Sequence, residues 1–125
     1  MSTISVVSTI DSNPQLVTNI KLVRHAWLPM TTTADTGSAV SFSIFSDRSA
    51  QVNGTFGVGG EITIEGSNDG GTTFVPLTDP QGNSLRFTTA GIKAVTEICE
   101  FIRPRVTGGD GTTSLQCYIF AKQGK

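Results

Sequence analysis

The stretch Glu61-Ile62-Thr63-Ile64-Glu65-Gly66-Ser67-Asn68-Asp69-Gly70-Gly71-Thr72-Thr73-Phe74-Val75-Pro76-Leu77 decides the fold class. Its first five residues alternate polar and apolar with a period of two. That period is the mark of a half-buried β-strand, with Ile62 and Ile64 inward and Glu61, Thr63 and Glu65 outward. Gly66 to Gly71 then reads as a hairpin turn, because Gly, Asn and Asp tolerate the positive φ that tight turns demand. Thr72 to Leu77 returns as a second strand.

Working outward, the same pattern recurs with a turn signal about every ten residues. Upstream, Ile4 to Ser8 is a short β-branched segment, an arm or an edge strand. Asp11-Ser12-Asn13-Pro14 breaks the chain. Thr18 to Leu28 is a long strand whose two faces are Ile20, Leu22, Ala26 and Leu28, and Val23, His25 and Trp27. The second set is taken as the minor face, which leaves His25 solvated or at an interface. Ala39 to Ser46 places Val40, Phe42 and Ile44 on one face, and Gln51 to Phe56 is a weaker strand. Downstream, Leu85 and Phe87 mark a short strand, and Ile92 to Cys99 fits helix or strand. Phe101 to Thr107 is a strand holding Pro104, so it is an edge or carries a bulge there. Gly108-Gly109-Asp110-Gly111 turns it into Ser114 to Lys122. The expectation is an all-β chain: a single antiparallel β-sandwich or jelly-roll-like barrel over residues 1–125, with 1–16 an extended N-terminal arm.

Composition narrows the function. The chain has 125 residues, enough for one core. Only 15% are charged, against about 25% in a typical soluble domain, so much of the surface is uncharged, as where a partner covers it. Nine basic residues are scattered among ten acidic ones, which argues against a phosphate-binding stripe and hence against nucleic acid. No apolar run reaches the roughly 20 residues of a membrane span, and Met1 to Ser5 lacks a signal-peptide pattern. Synthesis in a cytoplasm is the default expectation. Cys99 and Cys117 form no metal-binding pair with the one histidine, and they read as buried thiols or as a cross-strand disulfide.

Catalytic patterns are weak. Asp69, Asp79 and Asp110 each lie in a Gly-rich turn, as structural turn residues or as oxygen donors to calcium without its usual spacing. Glu61 and Glu65 read as a solvated strand face rather than as a glycosidase pair. Gly57-Val58-Gly59-Gly60 precedes a strand, so it lacks the helix that a phosphate loop needs. No enzyme activity, metal or cofactor is expected. The last two strands say more. Ile102, Pro104 and Val106, with Leu115, Cys117 and Ile119, form a core face. Opposite them, Phe101, Arg103, Arg105, Tyr118 and Phe120 combine aromatic rings with arginine, the composition of protein interfaces. The alternative is that the N-terminal segment covers this face.

The segments Ile62 to Gly71, Pro76 to Asn83 and Ile102 to Gly111 resemble small virion proteins of tailed bacteriophages, in particular head decoration (cement) proteins. The resemblance covers about half the chain. It implies a protein on the capsid exterior that stabilises the head by bridging subunits of the major capsid protein. It also implies a homo-oligomer, with a trimer favoured, made in the host bacterial cytoplasm. A tail, neck or fibre-associated protein is the neighbouring expectation. The Ser67-Asn68-Asp69-Gly70 pattern is also similar to discoidin-like sugar-binding sandwiches, for which Trp27 and Phe74 are the candidate sugar contacts.

Overall fold

A computed structural model describes residues 3–4, 7–12, 21–41 and 45–123. Among these residues twelve strands run in chain order: β1 Thr3–Ile4, β2 Val7–Ser12, β3 Lys21–Met30, β4 Thr36–Gly37, β5 Val40–Ser41, β6 Phe45–Thr55, β7 Glu61–Ser67, β8 Val75–Pro76, β9 Arg86–Phe87, β10 Gly91–Ala94, β11 Phe101–Gly108 and β12 Ser114–Gln123. There is no helix among the described residues, and the ambiguous segment at Ile92 begins within β10.

The strands form two open sheets packed face to face, which selects the sandwich over the closed barrel. The five-stranded sheet runs β10-β6-β12-β3-β2 and is antiparallel throughout. The seven-stranded sheet runs β1-β4-β11-β7-β8, with β5 also on β11 and β9 also on β7. Among the described residues its one parallel pair is β1 with β4. The decisive hairpin forms with shifted bounds: β7 runs on through Gly66 and Ser67, and the return is only Val75–Pro76, where Glu65 pairs with Pro76 and Gly66 with Val75. Pro104 sits opposite Ile64. On the other flank of β11, β5 pairs at Phe101–Ile102 and β4 at Arg105, so the ladder is broken where proline has no N–H to give.

Between the sheets, Ile62 and Ile64 of β7 and Ile102, Pro104 and Val106 of β11 meet Trp27 of β3, Val52 of β6 and Leu115, Cys117 and Ile119 of β12, all buried. The alternation expected for the last two strands therefore holds residue by residue. Gly37 marks a close approach of the two sheets. A β-carbon there would lie 2.7 Å from Pro104 Cδ and 2.7 Å from Trp27 Cδ1.

Four expectations change. First, β11 and β12 are not a hairpin. β11 pairs with β7 from Phe101 opposite Ser67 to Gly108 opposite Glu61, whereas β12 lies between β6 and β3 in the other sheet. The Gly-rich connection carries the chain across the end of the sandwich, and Thr113 Oγ1 donates to Phe56 O at 2.7 Å to anchor it. Second, the faces of β3 are exchanged: Val23, His25 and Trp27 are buried and Leu28 is 47% exposed. Both faces of this strand are apolar, and burying the indole decides between them. His25 is thus a core residue, not a solvated one. Third, of the two readings of Ile4 to Ser8 the described residues take the edge strand, β1 on β4 and β2 on β3, and β2 runs from Val7 opposite Ala26 through Asp11 to Ser12 opposite Lys21, where a break was expected. The rest of the expected arm lies outside the described residues, as do Asn13, Pro14, Thr18 to Ile20, Phe42 and Ile44 of the expected strands and turn. Fourth, Gln51 to Thr55 of the segment Gln51 to Phe56 belong to β6, which is flanked on both sides rather than weak.

Gly37→Ala should lower stability by about 1–3 kcal/mol through overpacking. Urea unfolding checks this, and an unchanged midpoint would contradict the closeness of the two sheets at Gly37.

Candidate functional site

The five residues expected to form one interface lie on opposite outer faces. Phe101, Arg103 and Arg105 project from the seven-stranded sheet, and Tyr118 and Phe120 from the five-stranded one. The strands that carry them alternate as expected, but they belong to different sheets. Packed sheets are about 10 Å apart, so the two groups cannot touch one partner surface together.

On the seven-stranded face the organising group is Glu65. It was expected in solvent, yet it is only 3% exposed. Arg103 Nε donates to its Oε1 at 3.1 Å and Arg105 Nε to its Oε2 at 2.9 Å. The register explains the clamp: Arg103 lies directly opposite Glu65 on β7, and Arg105 is the next outward residue along β11. Their long side chains cover the carboxylate and fill its acceptor positions, so burial leaves it paired rather than stranded. The Arg103 guanidinium also lies over the Phe74 ring, 3.9 Å from its centroid. Glu61 is held by Arg86 Nε at 3.3 Å and by the Thr107 hydroxyl at 2.6 Å. These carboxylates are structural anchors. A cleft of about 300 Å³ opens beside the clamp, lined by Thr36, Ser38, Gly71, Phe74, Phe101 and Arg103 among others.

On the five-stranded face the rows are short and mostly uncharged. Tyr118 lies between Ala26 and Gln51, and Phe120 between Arg24 and Ser49. Beyond Gln51 comes Ile92 of the edge strand. Ile92 is 64% exposed and Phe120 45%. These residues border a shallow depression of about 460 Å³. With Leu28 on the same side, large apolar groups meet water across this face. Leu28 and Ile92 were not anticipated, because Leu28 was assigned to the core and Ile92 lay in a segment of undecided structure.

The remaining candidates resolve into local structure. Asp69 Oδ1 accepts from Ser67 Oγ at 2.7 Å and from the amides of Thr72 and Thr73. Asp79 Oδ1 accepts from the amides of Gln81 and Asn83. Asp110 accepts from the Val58 amide, the Thr112 amide and the Thr112 hydroxyl. Asp69 and Asp79 thus serve their own turns, Asp110 also ties its turn to the one at Val58, and among the described residues no three His, Cys, Asp or Glu groups lie close enough to share a metal ion. Trp27 is fully buried, its Nε1 donating to Ser38 O at 2.9 Å, so it offers no sugar contact. Both cysteines are thiols: Cys117 lies in the core and Cys99 is partly exposed. Burial pushes both upward in pKa, away from a reactive thiolate. Sequence reading passed over Arg48, which faces the core in line with Ala50 and is only 5% exposed. Its Nη2 donates to Glu97 O.

Two outcomes follow. Glu65→Ala should cost about 1–3 kcal/mol in urea unfolding, since the two arginines regain water but the clamp is lost. Asp69 is held at about 2, first by the Thr73 amide and then by the Ser67 hydroxyl. Asp110 is also held at about 2, by the Thr112 hydroxyl and the Val58 amide. Both are depressed in the folded state, so the unfolded chain takes up these protons first. Their stabilisation is complete above about pH 4 and is lost as pH falls toward about 2. Thermal midpoints across that window should fall less steeply for Asp110→Asn than for the parent chain.

No family model and no curated protein matches this chain. Among solved structures it is similar to peruvianin-I, a cysteine peptidase from Thevetia peruviana latex, at 13% identity and a TM-score of 0.39. The match covers 95% of this chain and 61% of that one, and the likeness is too slight to bear on chemistry.

Proposed function

We propose that this chain is a structural protein of a tailed-bacteriophage virion, a capsid decoration protein that binds the outside of the head and bridges subunits of the major capsid protein. The observation that carries the reading is the outer face of the five-stranded sheet. Leu28, Ile92 and Phe120 stand exposed on a rigid slab, with Tyr118, Gln51 and Ser49 between the larger apolar groups. A surface of this kind suits burial against another protein. The resemblance of residues 62–71, 76–83 and 102–111 to decoration proteins supplies the setting.

The mechanism is clamping rather than catalysis. Each apolar contact contributes roughly 25 cal/mol per Å² buried. A trimer placed over a junction between capsid subunits would engage several of them at once, and linked contacts multiply modest single affinities. Separating the subunits then requires breaking all of these contacts together. The low charge of the chain suits this role, because charged groups are depleted at the centres of such interfaces.

Mass spectrometry of purified virions tests the assignment. Decoration predicts a copy number on the scale of the major capsid protein, whereas a handful of copies indicates a tail or neck component and contradicts it. Adding back Phe120→Glu protein to undecorated heads should restore at least about tenfold less bound protein than the parent chain. Undiminished binding would move the docking surface elsewhere.

A further inference from the structure

Resting on the capsid-docking reading, we propose that the depression on the outer face of the five-stranded sheet receives a carboxylate side chain of the partner, an acidic residue set among apolar ones. Arg24 is the group that calls for it. Four of the chain's five arginines are engaged within the fold: Arg48 donates to Glu97 O, Arg86 to Glu61, and Arg103 and Arg105 to Glu65. Arg24 is exposed, and among the described residues its guanidinium has neither an ion-pair nor a hydrogen-bond partner.

The ladder sets what surrounds it. Arg24 lies directly opposite Phe120 on β12, and Phe120 lies opposite Ser49 on β6. Tyr118 and Gln51 form the next outward row, with Ile92 at its end. Arg24 and these two rows border the depression of about 460 Å³. A carboxylate seated there would meet a planar guanidinium fork that can take both of its oxygens, and a Tyr118 hydroxyl able to donate to it. The methylenes behind the carboxylate would lie on Phe120 and Ile92, both exposed.

Local charge agrees. On the described residues of β3, β6, β10 and β12 the other outward charges are Lys122 and Asp47, which face each other at 3.8 Å. Lys93 of β10 is turned to Arg86 O and the Phe87 ring. One positive charge is therefore unbalanced on these strands, although the whole chain carries −1. Any protein that covers Phe120 also covers Arg24 beside it. A purely apolar partner would strip water from the guanidinium and leave it without a counter-charge, which is costly. A polyanion would find one cation here, not a stripe along which to release counterions.

The test titrates the full ¹⁵N-labelled chain, at low salt, with the capped peptides acetyl-Leu-Glu-Leu-amide and acetyl-Leu-Gln-Leu-amide. The glutamate peptide should bind with a Kd of about 1–10 mM, at least about fivefold more tightly than its glutamine twin. Shifts should cluster at Arg24, Ser49, Gln51, Tyr118 and Phe120. Arg24→Gln, an exposed and conservative change, should abolish the preference, as should about 0.5 M NaCl with the parent chain. Absent shifts, equal affinities, or a preference that survives Arg24→Gln would each overturn the proposal. So would shifts at the same residues that grow with protein concentration alone, since a second copy would then occupy the site. On undecorated heads, Arg24→Gln should bind about tenfold more weakly than the parent. If Phe120→Glu loses the heads and Arg24→Gln does not, docking by this face stands and the carboxylate falls. If both variants bind like the parent, the docking reading falls, and the peptide preference alone decides whether the site takes a carboxylate.

Discussion

The contact of Trp27 with Gly37 and Pro104 governs how this molecule presents its surfaces. The indole of a five-stranded-sheet residue fills the space above a glycine and a proline of the other sheet, and its N–H is satisfied by Ser38 O. Burying a residue this large with its donor paired leaves β3 one acceptable orientation. Val23 and His25 follow Trp27 inward, and Leu28 is turned to solvent. The same contact holds the segment from Thr36 to Ala39 against the seven-stranded sheet, where it forms one side of the cleft. One packing event thus shapes both the exposed apolar face and the recessed polar one.

The two faces differ because their side chains solve different problems. On the seven-stranded sheet, β7 is buried on both sides, and its outward Glu65 is tolerated only because two arginines cover and pair with it. That clamp immobilises guanidinium groups and makes a fixed, polar, aromatic-edged surface. On the five-stranded sheet, the outward residues of β12 and β6 share an exposed ion pair, Lys122 with Asp47 at 3.8 Å, that covers nothing, and Phe120 and Ile92 remain open to water. An open apolar slab suits another protein.

Much of this was legible in the sequence, and the misses have definite causes. The two-residue period of Ile62–Ile64, Ile102–Val106 and Leu115–Ile119 told which side chains face the core, because alternation follows from strand geometry alone. It was silent on which strand lies beside which. A glycine-rich link such as Gly108 to Gly111 serves a hairpin and a crossover equally well, so Arg103 and Phe120 were assigned to one face when they stand on two. In β3, apolar residues on both faces left a one-residue ambiguity that only the volume of Trp27 resolved. The burial of Glu65 was hidden because it depends on the reach of Arg103 and Arg105, some 40 positions later in the chain. The turn roles of Asp69 and Asp79, and the Thr112 bonds of Asp110, were readable because they arise from neighbours in sequence, whereas the tie of Asp110 to the Val58 amide was not.

Trp27 is the single tryptophan of the chain, so its fluorescence reports directly on the contact from which the rest follows. Acrylamide quenching of the native protein is the measurement. A buried, blue-shifted emission that resists quenching until the protein unfolds is the result this structure requires. Emission that is red-shifted and freely quenched in the native state would place the indole in water, reverse the faces of β3, and remove the basis for both surfaces.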